Sequence, residues 1–283
     1  MRISFQGEPG AYSEAAVIEH YPNEAVIPVP CPSFEAVFAA VTADDCGRGF
    51  IPIENSLAGS IHQNYDLLLR NELWVVGEHR LRVSHCLIAR PGATLGGIRK
   101  VISHPQALAQ CDGYLRALPG VAVEAVYDTA GSVKMIAEGS DLTLGAIAAQ
   151  RAAQLYGMAV LAENIEDNPA NFTRFLIIAR QPAAETVLTS TPGSSSQNAK
   201  TSIVFTLKNQ PGSLFRALGA FALRDIDLTK LESRPLVGKP WEYLFYVDFS
   251  GAASDPVVQR ALAHLAEYAL MLRVLGSYPA TKS

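Results

Sequence analysis

From Arg2 to about Arg180 the chain alternates short β-like runs with amphipathic helical ones, and no other feature constrains its fold as tightly. "RISFQG" precedes the helical "AYSEAAVIEHY", and "AVIPVP" precedes "SFEAVFAAVTADD". In the latter Phe34, Val37, Phe38 and Val41 recur at i, i+3, i+4, i+7, with Ser33 as N-cap. "RGFIPI" leads into a helix through "IHQNYDLLLR". A strand-rich passage, residues 73–89, breaks the rhythm and marks a crossing between two lobes. The alternation then resumes: "KVIS" with a single helix "PQALAQCDGYLRAL", "AVEAVYD" with "AGSVKMIAEG", "LGAIA" with "AQRAAQLYG", then "AVLAENI" and "RFLIIAR". Repeated strand–helix units predict an α/β architecture with parallel strands. The closing strand returns to the first lobe.

Residues 181–200, "QPAAETVLTSTPGSSSQNAK", read as a flexible linker. Beyond it "TSIVFTL", "LTKLESRPL", "EYLFYVDFS" and "MLRVLGSY" read as strands, the middle two joined by a turn at "VGKP". "PGSLFRALGAFALRD" reads as a helix with Leu214, Leu218 and Phe221 on one face. "SDPVVQRALAHLAEYA" reads as another, capped by Ser254 or Asp255 with Pro256 near N1. The order βαββαβ is the ferredoxin-like pattern, a unit that more often regulates or assembles than catalyses.

The net charge of −4 gives a nucleic-acid partner no electrostatic support, and no apolar stretch is long enough for a membrane span. "MRISFQGEPG" has no signal-peptide core, so a cytoplasmic location is expected and the Asn-Phe-Thr glycosylation match carries no weight. Cys31, Cys46, Cys86 and Cys111 form no C-x-x-C pair and read as buried hydrophobes. Cys86 beside His85 in "SHCL" resembles a nucleophile pair, but the following Leu-Ile-Ala makes it core. No metal-ligand spacing is present. "GEPGAYSE" lacks the Gly-Lys-Ser/Thr ending of a phosphate loop, and no G-x-G-x-x-G opens a helix.

Polar residues gather at the strand-to-helix junctions: Gln6, then Glu54, Asn55, Ser56 and Gly59, then Ser103, His104 and Gln106, then Asp128 and Thr129. Such junctions line the ligand crevice of open α/β sheets, where helix N-termini favour anions. Each alone is more simply a helix cap. Together, and with "NFTRF" at the mouth of a buried strand, they suit a small anionic ligand.

"GEPGAYSE", "PIENSLAGSIHQNYDLL", "SHPQALAQC", "YDTAGS" and "NFTRF", in this order, resemble the prephenate dehydratase family with a linked ACT regulatory domain. The resemblance implies a two-lobed, periplasmic-binding-protein-like catalytic domain over residues 1–181. Its lobes would be about 1–77 with 163–181, and 78–162, followed by a linker 182–199 and an ACT domain 200–283. It implies a carbon–oxygen lyase that converts prephenate to phenylpyruvate in phenylalanine biosynthesis, without cofactor or metal. In the family Thr-Arg-Phe is the catalytic signature, which falls on Thr173, Arg174 and Phe175. Thr173 is then a positioned donor to the leaving hydroxyl. Asn55, Ser56 and Thr129 would contact substrate, and Phe175 would pack behind Thr173. Arg174 has two readings, a carboxylate clamp or a tie between lobes. Glu54 and His104 are candidate general acids by residue type.

In the second domain "LESRP" (Glu232, Ser233, Arg234, Pro235) and "PGSLF" (Gly212, Ser213, Leu214) match the family's phenylalanine-sensing motifs, with Ser213 in place of the usual Ala. Ser132 also departs from the family's usual Ala. The resemblance further implies phenylalanine as effector and a homodimer or homotetramer. Because the chain starts directly in the first dehydratase strand, no fused chorismate mutase domain is expected. Two rivals stand beside this reading: arogenate dehydratase, which runs the same elimination on the amino analogue, and a non-catalytic amino-acid sensor.

Overall fold

The computed structural model describes residues 1–184, 199–236, 238 and 242–281. Most of the linker, and the greater part of the "VGKP" turn, lie outside the described residues. Two α/β sheets account for the first 180 residues. One contains β1 (Arg2–Gln6), β2 (Ile27–Cys31), β3 (Arg48–Asn55), the short β4 (Gly59–Ser60), β5 (Trp74–Arg82) and β11 (Phe172–Ala179), in the order β2-β1-β3-β11-β5 with β4 on β3. The other contains β6 (Cys86–Ala89), β7 (Lys100–Ser103), β8 (Ala122–Ala125), β9 (Leu144–Ala148) and β10 (Ala159–Ala162), in the order β10-β6-β9-β7-β8. Pairs β1–β2, β1–β3, β7–β8 and β7–β9 are parallel, as crossover helices require. The pairs β6–β9 and β6–β10 are antiparallel, so the second sheet is mixed.

The helices form where the apolar spacing and caps predict. In α2 (Phe34–Thr42) Ser33 Oγ accepts from Ala36 N, and Val37, Phe38 and Val41 are buried. Helix α1 (Tyr12–His20) precedes it and α3 (His62–Arg70) follows β4. The expected single helix after β7 is two: α4 (Pro105–Gln110) and α5 (Asp112–Arg116). The break has a local cause. Gln110 O accepts from Asp167 N (2.8 Å), and the Asp167 carboxylate receives Gly113 N (3.1 Å), so a remote loop takes groups a continuous helix would have paired. Helix α6 (Thr129–Glu138) is capped by Asp128, and α7 (Gln150–Tyr156) ends on Gly157 at φ +65°.

The C-terminal residues form a four-stranded antiparallel sheet, β12 (Ala199–Leu207), β13 (Leu228–Pro235), β14 (Tyr243–Ser250) and β15 (Ala269–Pro279), in the order β13-β14-β12-β15. Helices Ser213–Ala222 and Pro256–Ala266 complete the βαββαβ order. Ile203, Phe205, Phe221, Val247, Phe249 and Leu265 make its core.

The described residues group into two compact units, Met1–Ile61 with His79–Phe175, and His62–Glu78 with Leu176–Ser283. By contacts, residues 62–78 group with the C-terminal residues. Polar contacts within that unit explain why. Lys200 Nζ meets both oxygens of the fully buried Glu78 carboxylate, at 2.8 and 2.9 Å. Arg273 donates to the carbonyls of Leu69, Asn71 and Leu73 at the end of α3, where helix carbonyls lack partners and a cation meets the negative dipole end. Tyr246 Oη donates to Tyr65 O at 2.8 Å.

In the first unit His20 packs edge-on against Tyr21, Phe50 and His79. Burial, then the neighbouring His79 and Arg48, pushes His20 down from 6.5 to about 4, and burial also lowers His79. The unfolded chain therefore binds more protons than the native one between these values, and stability falls as pH drops from 6.5 to 4. His20→Phe keeps the ring contacts and removes the proton. Calorimetric scans should show its melting temperature declining less than that of the parent across this window; parallel curves would count against the assignment.

Candidate functional site

Four residues of the polar junctions, Asn55, His104, Gln106 and Thr129, meet at one cavity of about 160 Å³, while Gln6 and Asp128 line another of about 360 Å³. Thr173 and Phe175 of β11 line the smaller one, with Asn55 from the end of β3, Thr129 at the start of α6, and His104, Gln106 and Gln110 around α4. Tyr12, Ser13 and His85 close one side, and Pro52, Ile61, Val83 and Ala107 are the apolar wall. No Lys, Arg, Asp or Glu is among these lining residues. The alternation of a β-strand presents Thr173 and Phe175 to the cavity. Arg174, between them, is buried on the other face, where Nη1 meets Glu54 Oε1 at 3.4 Å.

Asn55 organises the site. Its Oδ1 accepts from Leu57 N (3.0 Å) and Ala58 N (2.9 Å) in the hairpin leading to β4, where Gly59 sits at φ +83°. Its Nδ2 then faces three oxygens: Asn171 Oδ1 at 2.8 Å, Thr173 Oγ1 at 3.1 Å and Phe172 O at 3.2 Å. Thr173 Oγ1 is thus an acceptor from the amide, and among the described residues its hydroxyl makes no other hydrogen bond. The proton of that hydroxyl is available to a ligand in the cavity.

Ser56 lies just outside, exposed, and ties the hairpin to the segment before β11. Its Oγ donates to Ala170 O (2.8 Å) and accepts from Phe172 N (2.9 Å), and its N–H reaches Phe172 O (2.8 Å). His104 caps α4, its Nδ1 accepting from Gln106 N at 3.2 Å. In the neutral ring the proton then sits on Nε2, making His104 a second donor of the cavity. Asp128 caps α6 through Gly131 N (2.7 Å), and burial raises its carboxyl against those cap bonds. Ser132 is buried and donates to Thr129 O, so its hydroxyl is absorbed within α6. Glu14 joins Gly10 N and Arg151 Nε, both through Oε2, and so anchors the "GEPGAYSE" loop. Gly10 (φ +92°) lies against Ala152, where a Cβ would meet the backbone at 2.9 Å.

The structure therefore brings Asn55, Thr129, Thr173 and Phe175 together, and sets Ser56 and Arg174 to hold the surrounding segments. It also brings in residues to which the sequence reading gave no role in the site: Asn171, fully buried, and Gln110, His85 and Tyr12. Cys86 is buried with its thiol pushed up by burial, as a core cysteine should be. Its neighbour His85 is buried too, but in a polar network rather than the apolar core.

In the C-terminal unit, β13 alternates half-buried and exposed residues, which splits "LESRP" across two faces. Glu232 and Arg234 point to α3, reaching His62 Nε2 (3.2 Å) and Asp66 Oδ2 (2.9 Å); Ser233 and Pro235 are exposed. Gly212, at φ +76°, opens the helix carrying Ser213 and Leu214.

A prephenate dehydratase family profile matches residues 3–183, and an ACT domain profile matches residues 201–267. The chain is 50% identical over 289 residues to arogenate dehydratase/prephenate dehydratase 2, chloroplastic, of Arabidopsis thaliana, covering 99% of this chain and 73% of that protein. It is 48% identical over 294 residues to arogenate dehydratase 2 of Petunia hybrida, covering 99% and 72%. Among solved structures, prephenate dehydratase from Arthrobacter aurescens in complex with L-Phe superposes with a TM-score of 0.87 at 31% identity, covering 100% of this chain and 93% of that one. A structure described as GqqA, a novel type of quorum quenching acylases, superposes with a TM-score of 0.89 at 37% identity, covering 99% and 98%.

The donor–acceptor order around residue 55 has a direct test. In Asn55→Asp a carboxylate oxygen would replace Nδ2 opposite three oxygens; Phe172 O keeps the Ser56 N–H, but Asn171 Oδ1 loses its donor. The expected loss is about 1–3 kcal/mol of stability, read as a lower melting temperature. An unchanged melting temperature would contradict the order described.

Proposed function

The chain belongs to the prephenate dehydratase family, with its dehydratase and ACT domains, and we propose that the Thr173 cavity carries out the decarboxylating dehydration of prephenate. The observation that carries this reading is Thr173 Oγ1 held by the Asn55 amide with its proton free. In the reaction the ring C–O bond breaks and the bond to the ring carboxylate supplies the electron pair that completes the aromatic ring. One proton joins the departing hydroxide, so the products are phenylpyruvate, CO₂ and water. The enzyme is a carbon–oxygen lyase on this reading. Thr173 donates to the leaving oxygen, and that hydrogen bond strengthens as negative charge develops there. His104 is a second donor, through Nε2. The neutral lining supports a keto substrate over its amino analogue, since no carboxylate among the lining residues would pair with an ammonium.

Two observations define the competing activities. The relatives named as arogenate dehydratases make arogenate the alternative substrate, with phenylalanine as product. The likeness to a structure described as an acylase makes amide hydrolysis a further one to assay. An amide such as Asn55 cannot take the proton of Thr173, so activation of this hydroxyl as a nucleophile lacks its base and hydrolysis should be negligible.

Phenylalanine is the proposed effector, bound by the ACT domain near Gly212–Leu214 and Glu232–Pro235. Because Glu232 and Arg234 already hold His62 and Asp66, an effector that engages them would loosen α3, whose chain continues directly from Ile61 in the cavity wall. A homodimer through the ACT sheet is also proposed, supported by edge strand β13 with exposed Leu231, and by exposed Phe215 and Leu223.

Assays with prephenate and arogenate in parallel should show faster phenylpyruvate formation from prephenate; a strong preference for arogenate would transfer the same mechanism to the amino substrate. Thr173→Ala should lower kcat by about 10²–10³-fold with little change in KM, and Thr173→Ser should retain most activity. Full turnover by Thr173→Ala would remove the proposed donor. In calorimetric titrations phenylalanine should bind more weakly to Glu232→Ala and Arg234→Ala. Undiminished affinity would place the effector elsewhere.

A further inference from the structure

Resting on the dehydratase reading, we propose that His85 is a positioning residue: its Nε2–H pins the far end of a side-chain amide chain that ends on Thr173 and whose direction the Leu57 and Ala58 N–H groups set. The chain runs His85, Gln110, Asn171, Asn55, Thr173, and its links follow one from another starting at Asn55. Two backbone N–H groups, of Leu57 and Ala58, require an oxygen at one end of Asn55, so its nitrogen faces Asn171. Asn171 must present Oδ1 there, which turns its Nδ2 to Gln110 at 3.0 Å. Gln110 must then present Oε1, and His85 Nε2, at 2.9 Å from the same oxygen, must carry a proton.

The contacts on the other side of the ring bear on its charge state. His85 Nδ1 lies 2.8 Å from Tyr12 Oη, which is itself 2.7 Å from Ser84 O. A neutral ring protonated at Nε2 takes the Tyr12 proton at Nδ1 only if Tyr12 gives up its donation to Ser84 O. A protonated ring donates to Tyr12, which passes its own proton to Ser84 O. In both, Nε2 keeps its hydrogen and Gln110 keeps its orientation. Burial favours the neutral ring, with Gln110 and Glu166 opposing.

The placement explains why a histidine serves here. Asn171 is fully buried, His85 nearly so and Gln110 half-buried, so a reversed amide would leave facing N–H groups or facing oxygens that water relieves poorly at the Asn171 end. If Gln110 turned over, Asn171 would be driven to turn against it, and Asn55 would lose either its hairpin bonds or its bond to Thr173. His85 removes that freedom at the far end. Its effect on catalysis is transmitted through the hydroxyl of Thr173, without contact with the departing atom.

The test has one readout independent of activity and one dependent on it. Nitrogen NMR of the full-length protein with labelled histidine should show a His85 Nε2 that carries hydrogen and an Nδ1 bonded to Tyr12. A bare Nε2 overturns the proposal whatever the protein turns over. In kinetics with prephenate, His85→Leu should lower kcat by about 10- to 100-fold with KM nearly unchanged, and His85→Gln, which can donate to Gln110, should recover much of the loss. In the Thr173→Ala background the same His85→Leu substitution should have no further effect. An equal loss in both backgrounds would show that His85 acts independently of Thr173 and would overturn the proposal. Should His85→Leu fail to fold, His85→Gln in the two backgrounds and the NMR signature decide alone. Absence of turnover in the parent would dismiss the dehydratase reading and leave the proton order to the NMR result.

Discussion

The geometry of the site depends on Asn55 being able to face in only one direction. Its oxygen is claimed by two backbone N–H groups of its own hairpin, and its nitrogen is thereby committed to the segment Asn171–Thr173, more than a hundred residues along the chain. A single side-chain amide thus joins the end of β3 to the start of β11 and determines what Thr173 can do. Because Thr173 Oγ1 receives a hydrogen bond, its own hydrogen is left for the ligand. A weakly acidic hydroxyl used this way supplies a dipole already directed at the ligand.

Charge is arranged around this site rather than in it. Two of the formal charges near in sequence are met by partners of opposite sign, Arg174 by Glu54 and Arg151 by Glu14, while Asp128 beside Thr129 caps α6. Arg82 and Glu166 pair in the same way beside His85, whose N–H also reaches the Glu166 carboxylate at 2.8 Å. These pairs lock loops and strand ends, leaving the cavity to hydroxyls, amides and imidazoles. The second unit uses charge differently. Its buried Lys200–Glu78 pair joins β12 to β5, and Arg273 holds the end of α3.

Much of the fold was legible because periodicity is local. Phe34, Val37, Phe38 and Val41 announce α2, and the βαββαβ order of the C-terminal domain can be read from composition and spacing. Thr173, Asn55 and Thr129 were legible through ordered motifs. What escaped was whatever a distant residue decides. Nothing near Cys111 says that the helix breaks there, because the groups that break it belong to Asp167. His85 next to Cys86 and Leu87 reads as core, since Gln110 and Tyr12, its true partners, lie 25 and 73 residues away. Arg174 read equally well as a clamp or a tie until Glu54 appeared opposite it. The grouping of residues 62–78 with the C-terminal unit depends likewise on Lys200, Arg234 and Arg273.

The most direct test of this account is neutron diffraction from perdeuterated crystals, which locates the deuterium atoms of Asn55 and Thr173. The account requires an amide deuterium of Asn55 directed at Thr173 Oγ1, and the Thr173 deuterium directed into the cavity. A Thr173 deuterium pointing at Asn55, with the amide oxygen facing it, would contradict the donor role at the centre of the mechanism.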